Sequence, residues 1–91
     1  MADKVIIQDQ AEWDKWTGVL VLTEEHLRFE RPGLLPGRFI VCFDLPIVEI
    51  SATVGGSLRK QLICVHNSRT YAIKLKNPHE WVKMLKVLGG R

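Results

Sequence analysis

Through most of the chain, apolar residues fall at every second position; near the end they fall at every third or fourth. Leu20 and Leu22 alternate with Val19 and Val21 in residues 18–23, and Leu27 and Phe29 alternate with Arg28 and Glu30 in residues 26–31. Period two is the mark of a strand with one face buried. The short break between these two runs predicts a hairpin in which Leu22 opposes Leu27 and Leu20 opposes Phe29. Those four side chains then form one apolar surface, with Val19, Val21, Arg28 and Glu30 on the other face. A second hairpin is predicted from residues 60–66 and 69–76 around Asn67-Ser68, with Cys64 opposite Tyr71, Leu62 opposite Ile73, and Leu75 on the same core face. Between the hairpins, residues 38–44 alternate Phe39, Val41 and Phe43, and residues 47–54 read as a β-branched strand ending at Gly55-Gly-Ser57. Residues 4–8 add a short strand. Residues 9–16 are polar and acidic and predict a loop, with Trp13 and Trp16 spaced for one helical turn.

The pattern changes at Asn77. Trp81, Met84, Leu85 and Leu88 fall on one helical face, with Lys83 and Lys86 on the other. Asn77 suits an N-cap, Pro78 the first helical position, Glu80 the capping-box position and Gly89-Gly90 the C-terminal turn. A helix this short needs an apolar surface to rest on, and the strands must supply it. The prediction is a mainly β chain with one C-terminal α-helix: seven strands in a small barrel or orthogonal sandwich capped by the helix, residues 1–91 forming a single domain.

Several segments carry a resemblance. Gly18-Val-Leu-Val-Leu-Thr-Glu-Glu-His-Leu-Arg-Phe29 resembles the opening signature of GRAM and bacterial pleckstrin-homology (PH)-like domains. Leu45-Pro-Ile-Val-Glu-Ile50 resembles their next landmark, and Tyr71 to Leu75 followed by a Trp-bearing helix completes the pattern over residues 16–88. The resemblance implies the PH superfold and a binding role toward lipid or protein, without catalysis. In true PH domains a run of Lys and Arg around the first hairpin loop marks phosphoinositide binding. Here the corresponding residues 9–16 are acidic, with only Lys15, which points away from that pocket.

Charge narrows the partners. The net charge is +3, but residues 1–50 hold five Lys/Arg against nine Asp/Glu, and residues 51–91 hold eight against one. Such asymmetry favours an anionic partner. Arg59, Lys60, Arg69, Lys74 and Lys76 are the candidate basic set, with Lys83 and Lys86 joining them in a wider surface for polyanions over residues 59–86. A second candidate is the Pro32-Gly-Leu-Leu-Pro-Gly37 loop, where Leu34 and Leu35 sit between Arg31 and Arg38. A solvated turn has no need of two leucines. Either they fold over the open end of the barrel, or a membrane, a protein partner or a second copy covers them.

Other chemistry finds little support. There is no C-x-x-C pair or finger spacing, and Cys64 and His66, which share a strand face, would need two further ligands to hold a metal. A nucleophile elbow and a Gly-rich phosphate loop are both missing. No cofactor, no small-molecule substrate and no catalysis are expected. Two cysteines make no secreted disulfide framework, and residues 1–7 do not read as a signal peptide. The expected protein is a cytoplasmic interaction domain, peripheral at the membrane where lipid is the partner, binding a protein or an anionic lipid surface. A nucleic-acid module using the basic C-terminal half, or a self-associating structural domain, is the alternative.

Overall fold

The computed structural model describes residues 4–56 and 58–91. Ser57, the third residue of the predicted Gly55–Ser57 turn, lies outside the described residues, as do residues 1–3. Seven strands form one antiparallel sheet: β1 (Val5–Trp13), β2 (Trp16–Thr23), β3 (His26–Pro32), β4 (Phe39–Pro46), β5 (Ser51–Gly55), β6 (Gln61–His66) and β7 (Arg69–Lys74). Helix α1 (Pro78–Val87) follows them. The strand order is β4-β3-β2-β1-β7-β6-β5, so β4 and β5 are the edges and the sheet stays open.

Both hairpins adopt the predicted register. Leu22 pairs with Leu27 and Leu20 with Phe29; Cys64 pairs with Tyr71 and Leu62 with Ile73. Their turns explain why. Asn67 and Ser68 both take left-handed backbone angles, φ 50° and 64°, matching the primed turn whose twist suits a two-residue hairpin. At the other turn the Thr23 hydroxyl accepts from the N–H of His26 at 2.9 Å and is completely buried. The inward residues of β2, β3 and β4 join those of β5, β6, β7 and α1 in one core, so the sheet folds back over itself. At its centre the Tyr71 ring lies 4.7 Å from Phe43 and 5.9 Å from Trp13, centroid to centroid. Burial pushes the Cys64 thiol up to about 12, so it stays neutral and acts as a small apolar core group.

Four expectations for the sheet are corrected. Residues 9–13 are strand, not loop, because β1 runs on to Trp13 and leaves only Asp14-Lys15 as the turn, with Asp14 at φ 57°. This strand shows water one polar face, which hid it. Ile47–Glu49 is a 3-10 turn, not the start of β5: Ile47 and Ile50, three apart, are both buried, while Val48 is exposed. Val21, assigned to the outer face, is nevertheless buried, lying in register between Gln8 of β1 and Arg28 of β3. Phe39, Val41 and Phe43 do not share a face, because the register shifts by one residue where Phe29 pairs with Phe43 but Glu30 pairs with Val41. That bulge at Cys42 turns the outer half of β4 over.

The helix buries Trp81 and Leu85 and half-buries Met84 and Leu88, the predicted face, against β5 and β6. The Asn77 side chain makes no capping bond, contrary to expectation; its ψ of 66° departs from the extended geometry that aims a cap side chain at the first turn. The C-terminus closes as predicted, through Gly89 at φ 114° and a 2.8 Å bond from the Gly90 N–H to the Leu85 carbonyl.

Candidate anion-binding groove

Strands β1 and β7 are joined by only two residue pairs, Glu12 with Lys74 and Trp13 with Ile73. Beyond Lys74 the chain leaves the sheet for the helix, while β1 continues alongside β2 alone. The two halves of the sheet diverge there, and a groove of about 500 Å³ opens between them. That volume is within the range of about 300–1,000 Å³ typical of small-ligand sites. Ala11, Leu75 and Pro78 supply its apolar lining. Its polar lining comes from three segments: Gln10, Glu12 and Thr17 from the β1–β2 hairpin, Arg59 and Lys60 from the β5–β6 connection, and Lys74 and Lys76 from β7 and the residues after it.

Four of the predicted basic residues thus meet in one place, while Arg69, Lys83 and Lys86 lie outside it. Four cations face one carboxylate, Glu12. Among the described residues, an ion pair joins Arg28 to Glu30 at 2.8 Å and a hydrogen bond joins His66 to Glu49 at 3.1 Å, and no ion pair involves a groove cation. A concave site lined mostly by one sign of charge over an apolar floor focuses its potential on an incoming counter-charge. The chemistry on offer is multivalent hydrogen bonding and Coulomb attraction to a phosphate-sized anion, with Gln10 and Thr17 as neutral polar partners.

The remaining predicted residues lie elsewhere. Arg69 begins β7 at the far turn, its guanidinium 5.4 Å from the centre of the Tyr71 ring. Arg31 sits over the Trp16 ring at 4.0 Å. Leu34 and Leu35 are at the β3–β4 loop tip, the first fully exposed and the second 65% exposed, so folding back over the barrel end is not what they do. Arg38 closes the base of that loop: its carbonyl accepts from Gly33 at 2.8 Å and its N–H donates to the Leu35 carbonyl at 3.1 Å. Gln10, Glu12 and Thr17 carry no signal in the sequence, because their role depends on where β7 meets β1. No three His, Cys, Asp or Glu among the described residues come together as metal ligands, and both cysteines are free.

No protein-family model and no curated protein sequence matches the chain. Solved structures do. A Slm1-PH domain in complex with inositol-4-phosphate superposes with a TM-score of 0.71 at 16% identity, covering 99% of this chain and 100% of that one. A second Slm1-PH structure, described as binding ligand in the non-canonical site, gives 0.71 at 15% identity over 98% and 100%. A structure from a systematic screen for protein–lipid interactions in Saccharomyces cerevisiae gives 0.71 at 16% identity over 99% and 100%. The fold is that of a PH domain. At this identity the likeness is one of architecture: seven antiparallel strands in an open sheet with a single C-terminal helix. In this PH fold the first hairpin loop is reduced to Asp14-Lys15, and the cations gather instead where β1 parts from β7.

Proposed function

We propose that residues 1–91 form one non-catalytic PH-like domain that docks on anionic membrane surfaces by taking a phosphorylated head group into the β1–β7 groove. The observation that carries this is the convergence of Arg59, Lys60, Lys74 and Lys76, none of them ion-paired among the described residues, around a groove of head-group size. The inositol-4-phosphate held by the Slm1-PH domain is a ligand of the matching chemical class. Within PH-like folds, the Gly18–Phe29 and Leu45–Ile50 segments support a place near the GRAM and bacterial branch. A peripheral, cytoplasmic location fits this role, and no helix among the described residues is long and apolar enough to cross a membrane. A protein partner with a phosphorylated or acidic segment would use the same groove. Single-stranded nucleic acid fits less well, because it needs exposed aromatic platforms along its basic track, whereas Trp13, Phe29, Phe43 and Tyr71 pack together inside and the exposed Trp16 and Phe39 do not line the groove.

The test is charge reversal. Lys74→Glu with Lys76→Glu should weaken sedimentation with vesicles containing phosphatidylinositol 4-phosphate by about tenfold or more, since each surface cation near an anionic leaflet is worth about 1 kcal/mol. Both side chains are exposed, so melting should fall by no more than a few degrees, the cost of a carboxylate at position 74 opposite Glu12. Wild-type binding should also weaken as salt rises, because exposed charges act over only about 10 Å at ordinary ionic strength. Equal binding by the variant would remove the groove from the function. Preference for duplex DNA over vesicles would move the protein to the nucleic-acid class.

A further inference from the structure

Past the Val19–Glu30 pair, the ladder between β2 and β3 ends, and β3 and β4 continue as a two-stranded hairpin. Its tip and the β4 strand behind it are apolar, while β3 contributes Glu30 and Arg31. Leu34 and Leu35 occupy the tip, and Phe39, Ile40 and Val41 behind them are all exposed. In register, Phe39 pairs with Pro32 and Val41 with Glu30, so both lie on one face, while Ile40 pairs with Arg31 on the other. The tip is closed by the two backbone bonds between Gly33, Leu35 and Arg38. Pro32 and Pro36 carry no N–H, so with Gly33 and Arg38 donating internally few backbone donors are left to desolvate. Arg31 lies near the tip, stacked on the exposed Trp16, and Arg38 closes the loop base.

We propose that this hairpin tip inserts Leu34 and Leu35 into the acyl boundary of an anionic membrane, with Arg31 and Arg38 meeting its head groups. The inference rests on the membrane reading above and names a second, apolar anchor for it. Apolar side chains on both faces of a thin projection, and at its end, suit a medium that surrounds them; a protein pocket would cover one side. A second copy pairing along the β4 edge is disfavoured by the bulge at Cys42, which twists that edge out of line. Cations behind an apolar tip are the arrangement that interfacial anchors use, the tip lying about 5–10 Å into the head-group and acyl boundary. An exposed aromatic such as Trp16 is at home at that level.

The experiment is Leu34→Ser with Leu35→Ser, measured on phosphatidylcholine vesicles and monolayers containing phosphatidylserine and phosphatidylinositol 4-phosphate. Vesicle affinity should fall at least tenfold, since burial of even one leucine is worth about that factor. The rise in monolayer surface pressure on injection should largely disappear. Melting temperature and binding of soluble inositol 4-phosphate should stay as in wild type, because neither leucine touches core or groove. An unchanged pressure rise overturns the inference. So does a melting temperature lowered by many degrees, which would put the leucines in the core. Sedimentation equilibrium showing a wild-type dimer that the substitutions dissociate overturns it too, in favour of a second copy. Wild type that raises monolayer pressure but ignores soluble inositol 4-phosphate, with the Lys74→Glu/Lys76→Glu variant unaffected, would end the groove reading and leave tip insertion standing.

Discussion

Trp81→Ala should lower stability by about 3–5 kcal/mol, the usual loss for a large buried aromatic. Trp81 is 2% exposed and belongs to the same core as Leu20, Phe29 and Tyr71, so its removal leaves a void under the helix. The loss should be large for a structural reason as well. A ten-residue helix is marginal in isolation, and α1 is held to the sheet chiefly by Trp81 and Leu85. At this chain length each kcal/mol shifts the melting temperature by about 4–8 °C, so thermal denaturation should show a fall of more than about 12 °C. Trp16→Ala is the natural control, because Trp16 is on the surface under Arg31 and should cost little. If Trp81→Ala melts within a degree or two of wild type, the helix does not dock as described.

Gly18→Ala is expected to be nearly as damaging, although the side chain it adds is a single methyl. Gly18 lies opposite Ala11 of β1, and β3 passes close on its other side. A Cβ there would collide with the Glu30 carbonyl oxygen and stand 3.1 Å from the Arg31 Cα. Both obstacles are backbone, so relief requires the strands to move apart, in the stretch where Arg31 reaches over Trp16. Overpacking typically costs about 1–3 kcal/mol, and a clash against backbone belongs at the upper end. Urea denaturation should show the midpoint falling with the slope retained. A midpoint equal to wild type would mean that β2 and β3 do not approach so closely.

The hairpins were legible because their information is local. Leu20, Leu22, Leu27 and Phe29 alternate strictly, and a turn of the right length separates each pair of strands. The end of the chain was legible for the same reason, with helical spacing and a glycine stop. What escaped was set by partners distant in sequence. The second half of β1, residues 9–13, reads as loop because Asp9 and Glu12 interrupt its alternation, and only its place between β2 and β7 makes it a strand. As a strand, residues 47–50 would put Ile47 and Ile50 on opposite faces, whereas a single turn puts them on one, and the contact from the Ile47 N–H to the Glu25 carbonyl at 2.9 Å decides it. The bulge at Cys42 leaves no composition signal, so the sequence alone does not separate Phe39 and Val41 from the face of Phe43. The groove was half legible: the cations of residues 59–76 stood out, but Arg69 does not belong with them. Glu12 and Thr17 do, and only the meeting of β1 with β7 shows it.

That meeting also governs the order in which the protein should assemble. Strands β1 to β4 are linked by neighbouring hairpins, and so are β5 to β7, whereas the seam between the halves ties residues 12–13 to residues 73–74 by two pairs. Closing so long a loop for so few ladder contacts repays its entropy late. The transition state is expected to contain the local hairpins with the seam still unformed. Tyr71, whose ring meets Trp13 and Phe43 across it, provides the probe. Tyr71→Ala should accelerate unfolding in stopped-flow measurements and leave the folding rate nearly unchanged; a slowed folding rate would place the seam in the nucleus. A seam that closes last also opens first, so the groove formed by the parting of β1 and β7 is expected at the place where the sheet most readily comes apart.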